Sequence, residues 1–269
     1  MLKILNSLLD ILFPKICNGC GGVLTAHEQI ICTTCRHQAT VAGFHKTKAD
    51  TLKNIFYGRV AIQEATALLK FQKKGITQSL LHNLKYKKQE DISAFLGRWL
   101  GAELSEIPAY KNIDVVVGVP LHKNKQKARG YNQVTGFGKA IAEALDIVYL
   151  EDVLVKVSKT EAQVFKTRGK RIQDKQVFTL INSAKIKNKH ILLVDDINDS
   201  GHTLNGIKGV VDEWDSQENN NLLALHEGIK YATLFDKESS NFADVSFTGN
   251  IVTPEEEKWI VFPYEEWWK

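Results

Sequence analysis

The chain has 269 residues, of which 43% are hydrophobic and 25% charged, and a formal net charge of +4. These values describe a folded globular protein with room for one α/β domain of catalytic size and a small appendage, and they exclude an intrinsically disordered chain. The mild basicity suits a phosphate-rich substrate but lacks the clustering expected of a dedicated nucleic-acid binder.

The first fourteen residues are rich in leucine, but Asn6, Ser7 and Asp10 interrupt the apolar run and no small-residue cleavage site follows. The segment reads as an amphipathic helix stopping before Pro14. No later stretch approaches membrane-spanning length, so a cytoplasmic protein without a membrane span is expected. All four cysteines come next, as Cys17-Asn18-Gly19-Cys20 and Cys32-Thr33-Thr34-Cys35. Two such knuckles with eleven residues between them can set four thiolates tetrahedrally around one zinc. Four thiolates leave zinc no open position, which makes the expected site structural. Disulfides are the alternative, and the missing export signal speaks against them. His27, His37 and His45 read as ordinary surface residues.

Beyond the cysteines, Ile76–Tyr86 and Ile92–Leu100 space their apolar residues at three and four, the helical period. The apolar run Ile113–Pro120 reads as a buried strand. Leu121–Gln133, with Lys123, Lys125, Lys127 and Arg129, reads as a basic loop at its end, either a pyrophosphate site or a merely solvated charge run.

The most informative stretch is His190–Leu204. Its β-branched apolar run has the character of a strand buried on both faces in a parallel sheet. Asp195 and Asp196 then fall at the carboxyl end, where open α/β sheets bind ligands. The loop that follows, if it leads into a helix, offers free N–H groups and a positive dipole end to a phosphate. Gly201 permits close approach of the backbone, and Ser200 and Thr203 supply hydroxyl donors. The alternative is an ordinary strand followed by an Asn/Asp/Ser/Gly turn. Residues 215–222 read as a polar insertion typical of a loop, and the acidic run around Pro254 reads as a turn.

The stretch from Asp195 to Thr203 resembles the phosphoribosyl pyrophosphate (PRPP) signature of type I phosphoribosyltransferases, an acidic pair followed by a small-hydroxyl-Gly-x-Thr loop. The resemblance implies that Asp195 and Asp196 bind the ribose hydroxyls, directly or through magnesium. It further implies that Asp199, Ser200, Gly201, His202 and Thr203 cradle the 5′-phosphate. In the 6-oxopurine members an aspartate at the place of Asp199 acts on a purine ring nitrogen as general acid/base, which implies the same catalytic role here.

A second resemblance covers residues 1 to about 196. The paired knuckles after a Leu-rich Phe-Pro segment, Phe56-Tyr57-Gly58-Arg59-Val60, Leu84-Lys85-Tyr86-Lys87, Val119-Pro120-Leu121-His122 and Arg129-Gly130-Tyr131-Asn132-Gln133 resemble the landmarks of the ComF family, in its order. So do Thr160, Gln163, Arg168, Arg171 and Phe178, while Asp174 stands where the family tends to have asparagine. ComF proteins are phosphoribosyltransferase-like and are associated with DNA uptake in natural transformation, beside a helicase and DNA-processing partners. Past Asp196 the likeness shifts. Ile229–Lys237 and Lys258–Glu265 resemble the C-terminal part of xanthine-guanine and related purine phosphoribosyltransferases. That likeness implies that Lys237 contacts the purine's exocyclic oxygen, Trp259 stacks on the base, and the backbone at Ile260 reads its edge.

The expected architecture is therefore α/β. An amphipathic helix and zinc ribbon occupy residues 1–45. A type I phosphoribosyltransferase fold, a parallel sheet flanked by helices, occupies 46–269 and includes a small C-terminal hood and a purine-pocket-like segment at about 197–269. The expected activity is attack of a 6-oxopurine nitrogen on C1 of PRPP, giving a nucleoside monophosphate and pyrophosphate. Structural Zn2+ and PRPP-bound Mg2+ would be the cofactors. Lys123 and Arg129 would hold the pyrophosphate, and the segment around 158 to 178 would close as a lid. The alternative is a non-enzymatic accessory of DNA uptake that binds nucleotide or single-stranded DNA and meets the uptake helicase. Self-association is compatible with either.

Overall fold

The computed structural model describes residues 13–46, 64–157, 177–198 and 229–236, together with 203, 206, 207 and 210. In chain order the elements are α1 (Thr33–Gln38), β1 (Glu64–Lys70), α2 (Ile76–Tyr86), α3 (Asp91–Ser105), β2 (Val115–Gly118), α4 (Lys123–Arg129) and α5 (Gln133–Ala144). They continue as β3 (Val148–Leu150), β4 (Leu154–Lys156), β5 (Phe178–Leu180), β6 (Ile191–Asn198) and β7 (Ile229–Asp236). Residues 203, 206, 207 and 210 have helical backbone. No helix among the described residues is long and apolar enough to cross a membrane. The expected helix over the first residues lies outside the described residues, apart from Phe13.

Five strands form one parallel sheet in the order β1-β7-β6-β2-β3. Each core strand is apolar on both sides because both faces are covered. Leu68, Val116, Leu192, Val194, Ala232 and Leu234 face a core made with α2, α3 and α5. Ala65, Ala67, Val115, Val117, Ile191, Leu193 and Tyr231 face the other way, against Val153, Leu154, Phe178, Ile207 and Val210. The tightest helix contact is that of α3 on α5. A Cβ added at Gly97 would meet the Phe137 carbonyl oxygen at 2.6 Å and Ala140 Cβ at 2.9 Å, so the close crossing requires glycine.

The cysteine-bearing segment packs on the α2–α3 side, with Cys17, Ile31, Cys35 and Ala39 in the same core as Leu80 and Leu84. The chain leaving it runs antiparallel along β1. The Ala42 N–H donates to the Leu68 carbonyl at 2.9 Å, and the Lys70 N–H to the Thr40 carbonyl at 2.8 Å. This covers an edge strand that would otherwise expose unpaired backbone.

Two expectations are corrected. The basic stretch after β2 is a helix rather than a loop. His122 caps α4 by accepting from the Asn124 N–H, and Gly130 ends it at φ 88°, a left-handed conformation that favours glycine. His45 is not a surface residue. Its side chain is fully buried, 2.8 Å from Thr66 Oγ1 and 2.8 Å from Glu103 Oε2. Its partners come from β1 and α3, far away in the chain, a tertiary effect that its sequence neighbourhood does not display.

Candidate functional site

The connections of the sheet diverge between β2 and β6. From β2 the chain passes through α5 to β3 on one side; from β6 it goes to β7 on the other. Open α/β sheets bind ligands at such a switch point, outside the carboxyl ends of the strands. Gly118 pairs with Val194 in register, so the next residues along β6 are Asp195 and Asp196, beside the loop Val119-Pro120-Leu121 that leads to α4. The acidic pair and the basic helix therefore meet where the topology puts a ligand.

Because strand side chains alternate, the two carboxylates face opposite sides of β6. Asp195 shares its face with Ile191 and Leu193, whereas Asp196 shares the α2 side with Leu192 and Val194. Asp195 is only 7% exposed. Burial, with the Asp196 charge second, pushes its carboxyl up to about 7; the Asp196 N–H, donated to Asp195 Oδ1 at 2.8 Å, and the charges of Lys85 and Lys156 oppose that rise. Asp196 is ion-paired, its Oδ2 lying 2.8 Å from Lys85 Nζ with both side chains about five-sixths buried.

Neither cation was assigned to this site from the sequence, although Lys85 stands in the Leu84-Lys85-Tyr86-Lys87 landmark. Lys85 lies four residues after buried Leu81, so it sits at the rim of the buried face of α2. Lys156 lies two residues after buried Leu154, on the same face of β4, and its ammonium stands 5.1 Å from the centre of the Phe178 ring. Burial first, and Lys125 second, lower the Lys156 pKa, while Asp195 and Asp196 raise it. Those i+4 and i+2 spacings, with the landmark around Lys85, were the available signals.

Of the expected pyrophosphate ligands, Lys123 opens α4 and Arg129 closes it, and no residue of that helix is buried. Arg129 stands 5.6 Å over the Tyr86 ring, so the basic helix leans on the end of α2. Asn132 caps α5 by accepting from the Val134 N–H and donates to the Val119 carbonyl at 3.0 Å, tying β2's exit loop to α5. Thr203 is half-buried in helical backbone past the acidic strand. Asp199, Ser200, Gly201, His202, Lys237, Trp259 and Ile260 lie outside the described residues, as does nearly all of the expected lid. The described strands on either side of that stretch, β4 and β5, pair antiparallel.

Away from the sheet, the four cysteine sulfurs lie within 4.8 Å of one another, and Cys20 Sγ is 3.8 Å from Cys32 Sγ. All four thiols are free of disulfides. A tetrahedral zinc with bonds of about 2.3 Å requires sulfurs about 3.8 Å apart, so the cluster has the size of a tetrathiolate metal site. Backbone N–H groups of Gly19 and Cys32 donate to Cys17 Sγ at 3.3 and 3.2 Å, that of Gly22 to Cys20 Sγ, and that of Cys35 to Cys32 Sγ. Such donors stabilise thiolates, and Cys17 is drawn down to about 7 against the opposing effect of burial. Among the described residues, this is the one group of three or more such ligands close enough to share an ion.

Residues 135–267 match the phosphoribosyl transferase domain family. The chain is 33% identical over 108 residues to competence protein ComFC of Streptococcus pneumoniae, covering 40% of this chain and 46% of that protein. It is 27% identical over 133 residues to competence protein F of Haemophilus influenzae, covering 48% and 58%. It is 25% identical over 129 residues to the DNA utilization protein YhgH of Escherichia coli K12, covering 46% and 56%. The chain thus spans about half the length of the curated relatives it matches. Among solved structures, a hypoxanthine phosphoribosyltransferase from Staphylococcus aureus aligns with TM-score 0.34 at 17% identity, covering 65% of this chain and 78% of that one. The adenine phosphoribosyl transferase of Trypanosoma brucei aligns with TM-score 0.32 at 11% identity, covering 78% and 92%. The parallel sheet and the domain match agree on a phosphoribosyltransferase-type fold, and over about half its length the chain is similar to ComF-type competence proteins.

Proposed function

We propose that the acidic end of β6 binds PRPP and that the chain transfers its ribosyl group to a 6-oxopurine. The observation that carries this reading is the position of Asp195 and Asp196 at the divergence of β2 and β6, with Lys85, Lys156 and the basic helix α4 around them. Asp196 engages the ribose hydroxyls on the α2 side. Asp195 stays beneath as a second carboxylate. Asp199 to Thr203, continuing from the same strand, cradle the 5′-phosphate.

In the transfer, a purine ring nitrogen attacks C1, the bond from C1 to the pyrophosphate oxygen breaks, and Asp199 accepts the ring-nitrogen proton. Lys123 and Arg129 neutralise the departing pyrophosphate, and residues 158 to 178 cover the site to exclude water. Lys237, Trp259 and Ile260 hold the base. Two carboxylates on opposite faces do not make a magnesium cage by themselves, and they fit an ion that arrives with the diphosphate and takes most of its ligands from it. Such an ion supplies charge neutralisation at the leaving group. The thiolate cluster holds one structural zinc, and residues 1–45 form its module against the transferase domain of 46–269.

The test is pyrophosphate release from PRPP and magnesium with guanine, xanthine or hypoxanthine. The reading expects turnover that Asp199→Asn lowers at least a hundredfold; turnover unchanged in that variant overturns the catalytic assignment. A second reading, a non-enzymatic accessory of DNA uptake, rests on the basic helix α4, of which no residue is buried, and on the names of the competence-protein relatives. It expects no turnover and salt-sensitive binding of single-stranded DNA, weakened by removing Lys123, Lys125 and Arg129.

A further inference from the structure

One eleven-residue helix touches both the thiolate cluster and the acidic strand end. At its start, Ile76 packs on the first knuckle so closely that a Cβ on Gly19 would come within 3.0 Å of Ile76 Cγ2 and 2.9 Å of Cys35 Sγ. Two turns on, Asn83 Nδ2 donates to the Asn18 carbonyl at 3.1 Å and to Asn18 Oδ1 at 3.3 Å, gripping the loop between Cys17 and Cys20. The next residues address the other site. The Leu84 carbonyl accepts from the Tyr131 hydroxyl, Lys85 pairs with Asp196 at 2.8 Å, and Tyr86 lies under Arg129. Four consecutive residues of α2 thus connect the knuckle, the carboxylate and the basic helix.

We propose that α2 couples metal occupancy of the thiolate cluster to anionic-ligand affinity at Asp196, with Lys85 as the positioning residue. This rests on the reading of the acidic strand end as a PRPP site. With zinc bound, the first knuckle is a fixed platform. Asn83 and Ile76 seat α2 on it, and Lys85 is held on Asp196. One carboxylate is then neutralised in advance, and a polyphosphate ligand meets a site with less repulsion. Without zinc the knuckle loosens, α2 loses the contacts that set its last turn, and Lys85 no longer stays on Asp196. The two carboxylates then oppose an anionic ligand. Coupling between sites is reciprocal, so the ligand that binds the seated form also slows loss of the metal.

The experiment uses the full zinc-loaded chain and PRPP with magnesium, followed by titration calorimetry. Chelation of zinc weakens PRPP binding about tenfold in the native chain, within the ordinary range of coupling between sites. Lys85→Met weakens it by a similar factor and removes the response to chelation, and Lys85→Arg restores both. Asn83→Ala keeps one zinc per chain, because every thiolate remains, yet binds PRPP about as weakly as the zinc-free protein. That variant decides the question if chelation unfolds the chain. A full zinc response persisting in Lys85→Met, or native affinity in Asn83→Ala, overturns the coupling.

A ligand-free arm separates this proposal from the PRPP reading. Zinc transfer to a chromogenic chelator is several-fold faster in Lys85→Met and Asp196→Asn than in the native chain. Equal rates overturn the coupling whether or not PRPP binds. Failure of the native zinc-loaded chain to bind PRPP overturns the PRPP reading alone, and the release rates then decide the coupling.

Discussion

Replacing Asp195 by asparagine stabilises the fold, increasingly so as pH rises. The carboxyl is buried beside a second carboxylate and ionises at about 7 rather than at the 3.8 of an unburied aspartate. Between those values the folded chain keeps a proton that the unfolded chain has released. Folding stability is then present below about pH 4 and is lost as pH rises toward 7, at about 1.4 kcal/mol per unit. Asparagine keeps an oxygen for the Asp196 N–H and carries no charge, so it escapes the loss. Relative to the native chain, Asp195→Asn therefore gains about 3 kcal/mol between pH 5 and pH 8, or roughly 10 °C in melting temperature for a domain of this size. Thermal unfolding of both proteins across that range, followed by circular dichroism, is the assay. A difference in stability that does not change with pH refutes the assignment of a buried, raised carboxyl. So does a variant less stable than the native chain at pH 8.

His45 titrates with the opposite sign. Burial holds its pKa below 6.5 against the pull of Glu103, so stability is present above that value and lost as pH falls below it. His45→Gln should flatten that acid limb in the same unfolding experiment, and an unchanged limb counts against it. Gly97→Ala places a methyl against the Phe137 carbonyl and should cost about 1–3 kcal/mol in denaturant unfolding; a neutral substitution would show that α3 and α5 cross less closely. The native chain should bind one zinc per molecule, and Cys17→Ser should lose most of it, as read by metal analysis after gel filtration.

The parallel sheet was legible because two of its strands are built on β-branched apolar runs, Val115–Val119 within Ile113–Pro120 and Ile191–Val194 before the acidic pair. The helices at Ile76 and Ile92 followed from their periodicity, and the thiolate cluster from knuckle spacing. Residues Glu64–Lys70 went unread as a strand although Ala65-Thr66-Ala67-Leu68-Leu69 is apolar, because short runs of this kind do not separate strand from helix. Helix α4 was read as a loop because it buries nothing, and a helix with no apolar stripe leaves no period to find. The acidic pair was visible, but its division between two faces was not. That division depends on β6 continuing through Asn198, past the point where the carboxylates suggest an end. Lys85 and Lys156 join the site through packing between elements distant in sequence, which spacing alone only hints at.

The central claim is that the carboxylates at the end of β6 receive PRPP. Titration calorimetry of the zinc-loaded chain with PRPP and magnesium, native against Asp196→Asn, tests it most directly. Saturable one-to-one binding that Asp196→Asn weakens at least tenfold, the ordinary cost of losing a charge-assisted hydrogen bond, is the predicted result. Absence of binding to the native chain, or equal affinity in the variant, contradicts it.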